Sequence, residues 1–403
     1  MSPTHLSVCL SVLTISVIAA VNTTPSSLTR LDGSRISFAE ADAFARKTLA
    51  DDHVTGAQLA VVHDGTLAWS AAYGFRGKNP NLPMETGTTT WAASITKAVF
   101  ATYVMQLVEQ GRFDLNTPVA AQLPQPLDHY SDYREIASEL VKDLRWSKVT
   151  PRMLLSHSSG LGNFTFLEPD HKLHLHFAPG SSFRYSGDGI NLVQFLVEQQ
   201  QGKPLDQLMH QALFVPLSMT RTSLIYEPAF GANVADRFDT LGQFLSKTRR
   251  DHPRGAGSMT TSAEDLARFD VALMDGKLIR EESRAEMLKP VLMLHSLHQF
   301  PMSANEGPGR EADAVGLAYG VGWGLLTRSP YGPAYFKEGH GDGAQNYMIC
   351  FPQHRSCMVL LTNSDNGELA FRPLLEKILG DDVTPWEWEC YTPACIEESW
   401  KHQ

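Results

Sequence analysis

The sequence predicts an α/β fold of the α+β kind: an antiparallel sheet flanked by helices, with a large, mainly helical inserted domain. Three observations predict it. A hairpin pattern lies near the N-terminus, four short β-prone segments lie near the C-terminus, and about two hundred residues of helical pattern separate them. Strands so distant in sequence can share one sheet only if the intervening helices form an insertion.

The first helix and the first strand pair follow from short-range signals. Ser37 and Glu40 form a capping-box pattern, which predicts the start of a helix. The next apolar segment alternates around Asp64 and Gly65, a dipeptide typical of a tight hairpin turn. We therefore expect the sheet to begin within residues 55–75.

The rest of the sheet is expected near the end of the chain. Residues 90–310 show helical periodicity broken by turn residues and are assigned to the insertion. Short strand-like segments return within residues 318–363 and complete the predicted sheet. Residues 368–379 follow with an apolar helical face in spite of Pro373.

The chain divides into three parts. Residues 1–20 contain an apolar run that ends in Ala19 and Ala20, as a secretion signal does, although no Lys or Arg precedes it. An uncleaved anchor and a spurious start are the alternatives. Residues 21–380 form one folded domain, and residues 381–403 form a tail with two cysteines and three tryptophans that we expect to pack on the body. We expect a secreted or periplasmic protein with no stable membrane insertion after signal cleavage.

Composition narrows the range of partners. A formal net charge of −10 and a pI of about 5.8 disfavour nucleic acid, because acidic surfaces repel phosphate backbones. The sequence does not indicate an oligomeric state. A His-rich segment at residues 170–176 has a spacing that fits no helical ligand pair, so we assign no metal and no cofactor.

Four cysteines follow the presumed signal, and in an oxidising compartment an even number indicates disulfides. They are Cys350, Cys357, Cys390 and Cys395. Four cysteines allow three pairings. Two strand-like segments joined by a turn would place Cys350 opposite Cys357. Four free thiols are the alternative.

The first candidate for chemistry is a Ser-x-x-Lys pattern at the start of a helix. Apolar residues recur with helical period after Ser94, which places Ser94 and Lys97 in the first turn. A spacing of three brings both side chains to one helix face, and the helix N-terminus favours negative charge there. Taken alone the pattern is weak, since a polar first turn has the same appearance.

Two further elements strengthen the pattern. Tyr185 lies on a loop just before a predicted helix, where a side chain can project into a cleft, although a core tyrosine would also fit. Lys337 and Gly339 lie on a predicted strand followed by a glycine-rich turn, so that a substrate could approach the backbone closely.

With these three elements in order, the chain resembles the penicillin-recognising serine hydrolases, in particular their class C β-lactamase and esterase branch. The resemblance extends from about Gly56 to Gly380. The blocks that carry it are LAVVHDG, ASITKAVFATYVMQLVEQGRFDLNTPV, TPRMLLSHSSGL, PGSSFRYSG, GAGSMTTSAEDLARF, YGVGWG and the closing strand pair. It implies a β-lactamase/transpeptidase-like fold.

The resemblance also implies roles for individual residues. Ser94 matches the nucleophile of the family, Lys97 its lysine and Tyr185 its loop tyrosine. Lys337 and Gly339 fall where the family has Lys-Thr-Gly or His-x-Gly, and the backbone N–H of His340 would then be an oxyanion donor beside that of Ser94. A shifted register would make His340-Gly341 the motif instead.

Two departures from the family pattern bear on the substrate. Gly187 stands where many β-lactamases and peptidases have an asparagine that holds the substrate amide, and Glu338 replaces a small hydroxyl residue. We therefore expect a serine hydrolase that forms an acyl-enzyme on a small carboxylic ester or related acyl substrate. A β-lactamase or D-Ala-D-Ala-type carboxypeptidase is the alternative, and a non-catalytic binding or scaffold relative is a third reading. The sequence does not decide whether Lys97 or Tyr185 is the base.

Overall fold

A computed structural model of the chain describes residues 26–296, 298–299, 310–392 and 394–395. The predicted signal at residues 1–20 and Trp400 of the tail lie outside the described residues. No helix in the described ranges is long and apolar enough to cross a membrane.

Fifteen strands are present in the described part of the chain. They are β1 (Ser27–Thr29), β2 (Arg35–Ser37), β3 (Gly56–His63), β4 (Thr66–Lys78), β5 (Asn81–Pro83), β6 (Thr90–Trp91), β7 (Asp236–Phe238), β8 (Phe244–Lys247), β9 (Thr260–Thr261), β10 (Leu292–Met293), β11 (Leu317–Tyr319), β12 (Gly324–Leu326), β13 (Ala334–Gly341), β14 (Ala344–Phe351) and β15 (Ser356–Thr362).

The α-helices of the same residues are α1 (Phe38–Asp51), α2 (Ile95–Glu109), α3 (Val119–Gln122), α4 (Pro151–Leu155), α5 (Gly187–Gln201), α6 (Leu205–Met209), α7 (Ala263–Met274), α8 (Glu281–Met287), α9 (Arg310–Val315), α10 (Phe371–Leu374) and α11 (Trp386–Glu389). Short 3-10 helices lie at Leu127–His129, Leu140–Lys142, Leu144–Lys148, Thr165–Leu167, Pro228–Phe230, Pro352–His354 and Gly367–Ala370, and π-helical turns at His210–Phe214 and Leu375–Leu379.

Nine strands form one antiparallel sheet in the order β10-β11-β12-β13-β14-β15-β3-β4-β5. The predicted N-terminal hairpin is therefore adjacent to the last strand of the chain, β15, as one shared sheet requires. The sheet extends beyond the predicted ranges, because β5 and β10 lie outside them. Strands of two or three residues are too short to show an alternating pattern.

The local signals at the start of the chain are confirmed. Ser37 caps α1 with the complete capping box, in which Glu40 returns the hydrogen bond. Asp64 and Gly65 both have positive φ in the turn between β3 and β4, as a tight hairpin turn requires. The predicted helix at residues 368–379 is only partly correct. It consists of a 3-10 turn, the four-residue helix α10 and a π-helical turn, because Pro373 cannot donate the hydrogen bond of a regular helix.

The sheet separates two apolar cores. Alternate residues of β15 show the division: Val359 and Leu361 pack with α2, α5 and α7 of the insertion, whereas Leu360 packs with α1 and the C-terminal helices. Helix α2 is buried on almost every side, with 12 of its 15 residues inaccessible. A helix buried in this way is held rigidly, and its first turn is therefore a well-fixed position for chemistry.

The tail packs on the second core. Trp386 and Trp388 are buried, and Trp388 contacts the rings of Phe183 and Phe336. The sulfur atoms pair in two disulfides, Cys350–Cys357 across β14 and β15 and Cys390–Cys395 within the tail. Cys350 faces Cys357 directly in the strand register.

Candidate active site

Ser94 lies at the N-terminal end of α2, in the N-cap position, and its hydroxyl makes no capping bond to the helix. The residue before it, Ala93, has a φ of 46°, a left-handed conformation that is uncommon without glycine. Such strain beside a reactive residue persists only when surrounding contacts enforce it. Ser94 is partly exposed, whereas its neighbours Ala92 and Ala93 are buried. A solvent-borne substrate can therefore reach the hydroxyl.

Lys97 is buried one turn further along the helix. Its Nζ lies 2.8 Å from Ser94 Oγ and donates to the carbonyl of Ala256 at 2.6 Å. The side chain is 1% exposed, and within the described part of the chain it forms no ion pair with a carboxylate. Burial, reinforced by the like charge of Lys337, holds the pKa of Lys97 well below its usual value. A neutral amine that contacts a serine hydroxyl can accept its proton.

Tyr185 approaches from the loop before α5. Its hydroxyl accepts a hydrogen bond from Lys337 Nζ at 3.1 Å, and the side chains of Ser94 and Glu338 lie near enough to affect its pKa. Burial and the nearby Glu338 carboxylate raise the pKa of Tyr185 well above its usual value, so the phenol keeps its proton. Lys97 Nζ lies 4.8 Å from the centroid of the Tyr185 ring. Tyr185, from a segment distant in sequence, is thus brought together with Ser94 and Lys97.

His157 orders the loop that carries Tyr185. Its ring stacks on the Tyr185 ring with centroids 4.2 Å apart, and its Nδ1 accepts from the backbone N–H of Ser186. Its own backbone carbonyl accepts from the N–H of Arg184. Burial lowers the pKa of His157 well below its usual range, so the ring is neutral and able to accept. The sequence analysis did not single out His157, although it stands in the TPRMLLSHSSGL block.

Lys337 and Glu338 lie on β13 and form a buried ion pair, with exposed side-chain fractions of 0% and 2%. Lys337 therefore directs its ammonium at Tyr185 and Glu338. The His340 side chain instead pairs with Glu368, at 2.6 Å. This arrangement favours the register in which Lys337, and not His340, occupies the lysine position of the motif.

Gly339 brings β13 against the segment that precedes the nucleophile. A Cβ added at Gly339 would lie 2.3 Å from the carbonyl oxygen of Ala92, so that only glycine fits this approach. The amide of Asn346 joins the two segments, because it donates to the carbonyls of Gly339 and Trp91 at 3.1 Å each. The strand and the start of the helix thus form the two walls of a narrow slot.

The space beside Gly187 is filled by an aromatic ring. A Cβ at Gly187 would lie 2.2 Å from the ring of Phe164. Phe164 stacks on Phe166, which is 66% exposed together with Leu167 at 63%. The position where the family pattern has an asparagine is therefore flanked by this ring, and the N–H of Gly187 donates to Asn163 Oδ1 at 2.9 Å.

Among the residues that the structure describes, one group of three side chains has the spacing of metal ligands. It consists of Asp270, Cys350 and Cys357, whose ligand atoms lie within 4.8 Å of one another. The two sulfur atoms are joined in a disulfide, which occupies their bonding capacity. All three side chains of this group are buried.

Comparison with known proteins agrees with this geometry. The family described as "Beta-lactamase" matches residues 41–379. The chain belongs to the beta-lactamase family. This family consists of serine hydrolases that act through an acyl-enzyme.

The relatives of the chain include a penicillin-binding protein and a D-alanyl-D-alanine-carboxypeptidase/endopeptidase. Penicillin-binding protein 4 of Amycolatopsis lactamdurans is 26% identical over 359 residues, which cover 82% of this chain and 86% of the relative. The D-alanyl-D-alanine-carboxypeptidase/endopeptidase AmpH of Escherichia coli K12 is 22% identical over 80% of this chain and 83% of its own length.

Solved structures of the beta-lactamase family share the fold. The octameric penicillin-binding protein homologue from Pyrococcus abyssi has a TM-score of 0.67 at 20% identity and covers 85% of this chain and 79% of its own. The D-alanine carboxypeptidase AmpC from Burkholderia cenocepacia has a TM-score of 0.66 at 19% identity, with coverage of 85% and 99%. At such identities the likeness establishes the fold only, and the predicted β-lactamase-like architecture is confirmed.

Proposed function

We propose that this chain is an exported hydrolase of small carboxylic esters, in which Ser94 is the nucleophile. The observation that carries the proposal is the contact of Ser94 Oγ with Lys97 Nζ at 2.8 Å, with the phenol of Tyr185 nearby. A hydroxyl that contacts both a neutral amine and a protonated phenol has a proton acceptor and a proton donor within reach.

Neutral Lys97 is the base in this proposal. The proton of Ser94 passes to Lys97 as Oγ bonds to the ester carbonyl carbon, and the carbonyl π electrons move to the oxygen. Collapse of this intermediate breaks the bond to the alcohol oxygen, which takes a proton from Tyr185, and Tyr185 recovers one from Lys97. Water then attacks the acyl-enzyme by the reverse sequence and releases the acid. Its low pKa suits Lys97 to the role of acceptor, and its high pKa suits Tyr185 to that of donor.

The oxyanion is assigned to the backbone N–H groups of Ser94 and His340. Each such donor is typically worth about 3 to 4 kcal/mol in the transition state. The close approach of Gly339 to Ala92 supports this assignment, because it holds β13 beside the nucleophile.

The preference for esters rests on the apolar side chains near Gly187. The ring of Phe164 fills the space beside Gly187, where a side-chain amide would otherwise bind a substrate amide. An ester needs no donor for a leaving-group N–H, and the exposed Phe166 and Leu167 offer apolar contact to its acyl or alcohol part.

Hydrolysis of β-lactams or of D-Ala-D-Ala peptides is the second candidate. It is favoured by the names of relatives such as penicillin-binding protein 4 and the D-alanyl-D-alanine-carboxypeptidase AmpH. Intact mass spectrometry after incubation with a penicillin and with a short-chain aryl ester separates the candidates. We expect ester turnover that is lost in Ser94→Ala. Without ester turnover, either a stable penicilloyl adduct or rapid penicillin turnover would favour the second candidate.

Export is the remaining part of the proposal. The apolar run that ends at Ala19 and Ala20 and the two disulfides both fit an oxidising destination. N-terminal sequencing of the protein recovered outside the cytoplasm should give a first residue near Val21. A full-length chain that keeps Met1 in the cytoplasm would contradict export.

A further inference from the structure

Glu338 is a carboxylate at a position where the family pattern has a small hydroxyl residue. Its Oε1 accepts from Lys337 Nζ and, at 3.1 Å, from the amide of Gln299, and its charge raises the pKa of Tyr185. Because Glu338 is 2% exposed, these contacts are made without water. In space, a single residue, Tyr185, thus separates the Glu338 carboxylate from the Ser94 nucleophile.

The Glu338 carboxylate compensates the positive charge of Lys337 inside the protein. Whether the shared proton resides on Nζ or on the carboxylate, the Lys337–Glu338 pair has a net charge of zero. Lys97 adds no charge when neutral, and burial together with the nearby Glu338 raises the pKa of Glu389 so that this neighbour is a neutral acid. The hydrogen-bonded cluster around Ser94 is therefore neutral overall.

Among the side chains of this cluster that the structure describes, a substrate carboxylate beside the scissile bond would meet no unpaired cation. The Lys337 side chain is 0% exposed, and its hydrogen bonds go to Tyr185 and Glu338. Transfer of a carboxylate out of water without a partner is costly. The guanidinium groups of Arg237 and Arg250 stack on Trp91, outside the cluster, so that charge further from the scissile bond is not restricted in the same way.

We propose that Glu338 is a specificity-determining residue that selects acyl substrates without charge next to the scissile carbonyl. This rests on the proposed ester hydrolysis and names its substrate class. Penicillins and D-Ala peptides have a carboxylate close to the bond that is cleaved, so the same residue disfavours them.

Removal of Glu338 should change selectivity in a defined direction. In Glu338→Gln or Glu338→Thr, Lys337 loses its carboxylate partner, so the carboxylate of a substrate can act as its counter-ion. Binding of the anionic substrate then favours proton uptake by Lys337, so the gain should grow as the pH falls.

The test uses two aryl esters that differ only by a carboxylate on the carbon next to the carbonyl, each corrected for its rate of alkaline hydrolysis. In Glu338→Gln we expect the ratio of kcat/KM for the anionic ester over the neutral one to rise at least tenfold above the wild-type ratio. Glu389→Gln is the matched control, because it replaces a neutral buried acid by an isosteric amide and should leave the ratio within twofold.

A second measurement covers variants that lose turnover. Affinities of both esters for Ser94→Ala and for Ser94→Ala with Glu338→Gln report the same selectivity without chemistry. An unchanged ratio in both assays would overturn the role of Glu338 while leaving ester hydrolysis intact. Failure of the wild-type protein to react with either ester would instead reject the proposed function.

Discussion

Ser94 and Lys97 stand three residues apart on one helix, whereas Tyr185, Lys337 and Glu338 reach the same point from an insertion loop and a central strand. The first pair is fixed by helix geometry alone, because residues three apart share a face. The second group depends on packing between segments that are about 150 residues apart in sequence. The position of the nucleophile is therefore set by local helix geometry, whereas the position of its proton donor depends on the packing of the whole fold.

The two groups also differ in what supports them. The helix of Ser94 and Lys97 is enclosed by the core of the insertion. Tyr185 and Lys337 are backed by rings from elsewhere in the chain: His157 stacks on Tyr185, and Trp388 of the tail contacts the neighbouring Phe183 and Phe336. Substitutions that disturb the packing of the tail should therefore affect Tyr185, the proton donor, more than Ser94, the nucleophile.

Loss of the nucleophile should have the largest effect. Ser94→Ala removes the only group that we assign to covalent attack, so ester turnover should fall by roughly 10⁴-fold or more. Steady-state kinetics and the absence of an acyl adduct in the intact mass would show this. Ser181→Ala, at an exposed site, is the control and should keep wild-type turnover. Retention of the adduct in Ser94→Ala would show that another residue is acylated.

Loss of the Tyr185 phenol tests the part of the site that depends on packing between distant segments. Tyr185→Phe keeps the stacking with His157 but removes the proton donor, so kcat should fall by about 10² to 10³-fold with little change in thermal stability. Tyr130→Phe, in the insertion core, is the matched control. If Tyr185→Phe hydrolysed esters at the full rate, the phenol would have no part in proton transfer.

The pH dependence of kcat/KM distinguishes Lys97 from Tyr185 as the base. Burial and Lys337 hold the pKa of Lys97 well below its usual value, so kcat/KM should rise with pH and level off once Lys97 is neutral. A Tyr185 phenolate would behave differently, because its raised pKa would keep the rate increasing at strongly alkaline pH. A plateau that begins below pH 10 is our expectation, and a continued rise would assign the base to Tyr185.

The smallest effect is expected at His340, which we assign to the oxyanion through its backbone only. Packing around the ring opposes its charge, but Glu368 outweighs this and raises the pKa of His340 to about 9. The pair therefore stabilises the fold fully below pH 6.5 and loses this effect as the pH rises through 9. Since the His340 side chain is 49% exposed, His340→Gln should cost about 0.5 to 1 kcal/mol at pH 6 and almost nothing at pH 10. Urea unfolding at both pH values measures this difference, and an equal cost at the two would contradict it.

The sequence predicted the features that depend on short-range geometry. The capping box of α1, the Asp64-Gly65 turn and the Ser94–Lys97 pair all arise within a few residues, where backbone geometry leaves little freedom. The membership of the N-terminal hairpin and the C-terminal strands in one sheet could also be predicted, because their apolar patterns are strong and the family resemblance connects them.

The remaining features arise only from packing. Neither the stacking of His157 on Tyr185 nor the ring of Phe164 over Gly187 has a signature in one sequence, because each joins segments whose relative positions only the fold determines. The ion pair of Glu338 could have been suspected from its position beside Lys337. A strand normally directs adjacent side chains to opposite faces, however, and this argues against such a contact.

Gly339 shows that a residue can control a reaction to which it contributes no side-chain atom. The slot between β13 and the nucleophile is as narrow as two backbones permit, and a single added methyl group would force the walls apart. Mutational tolerance along this strand should therefore follow size and not polarity, and a screen that searches only for lost functional groups would overlook the position.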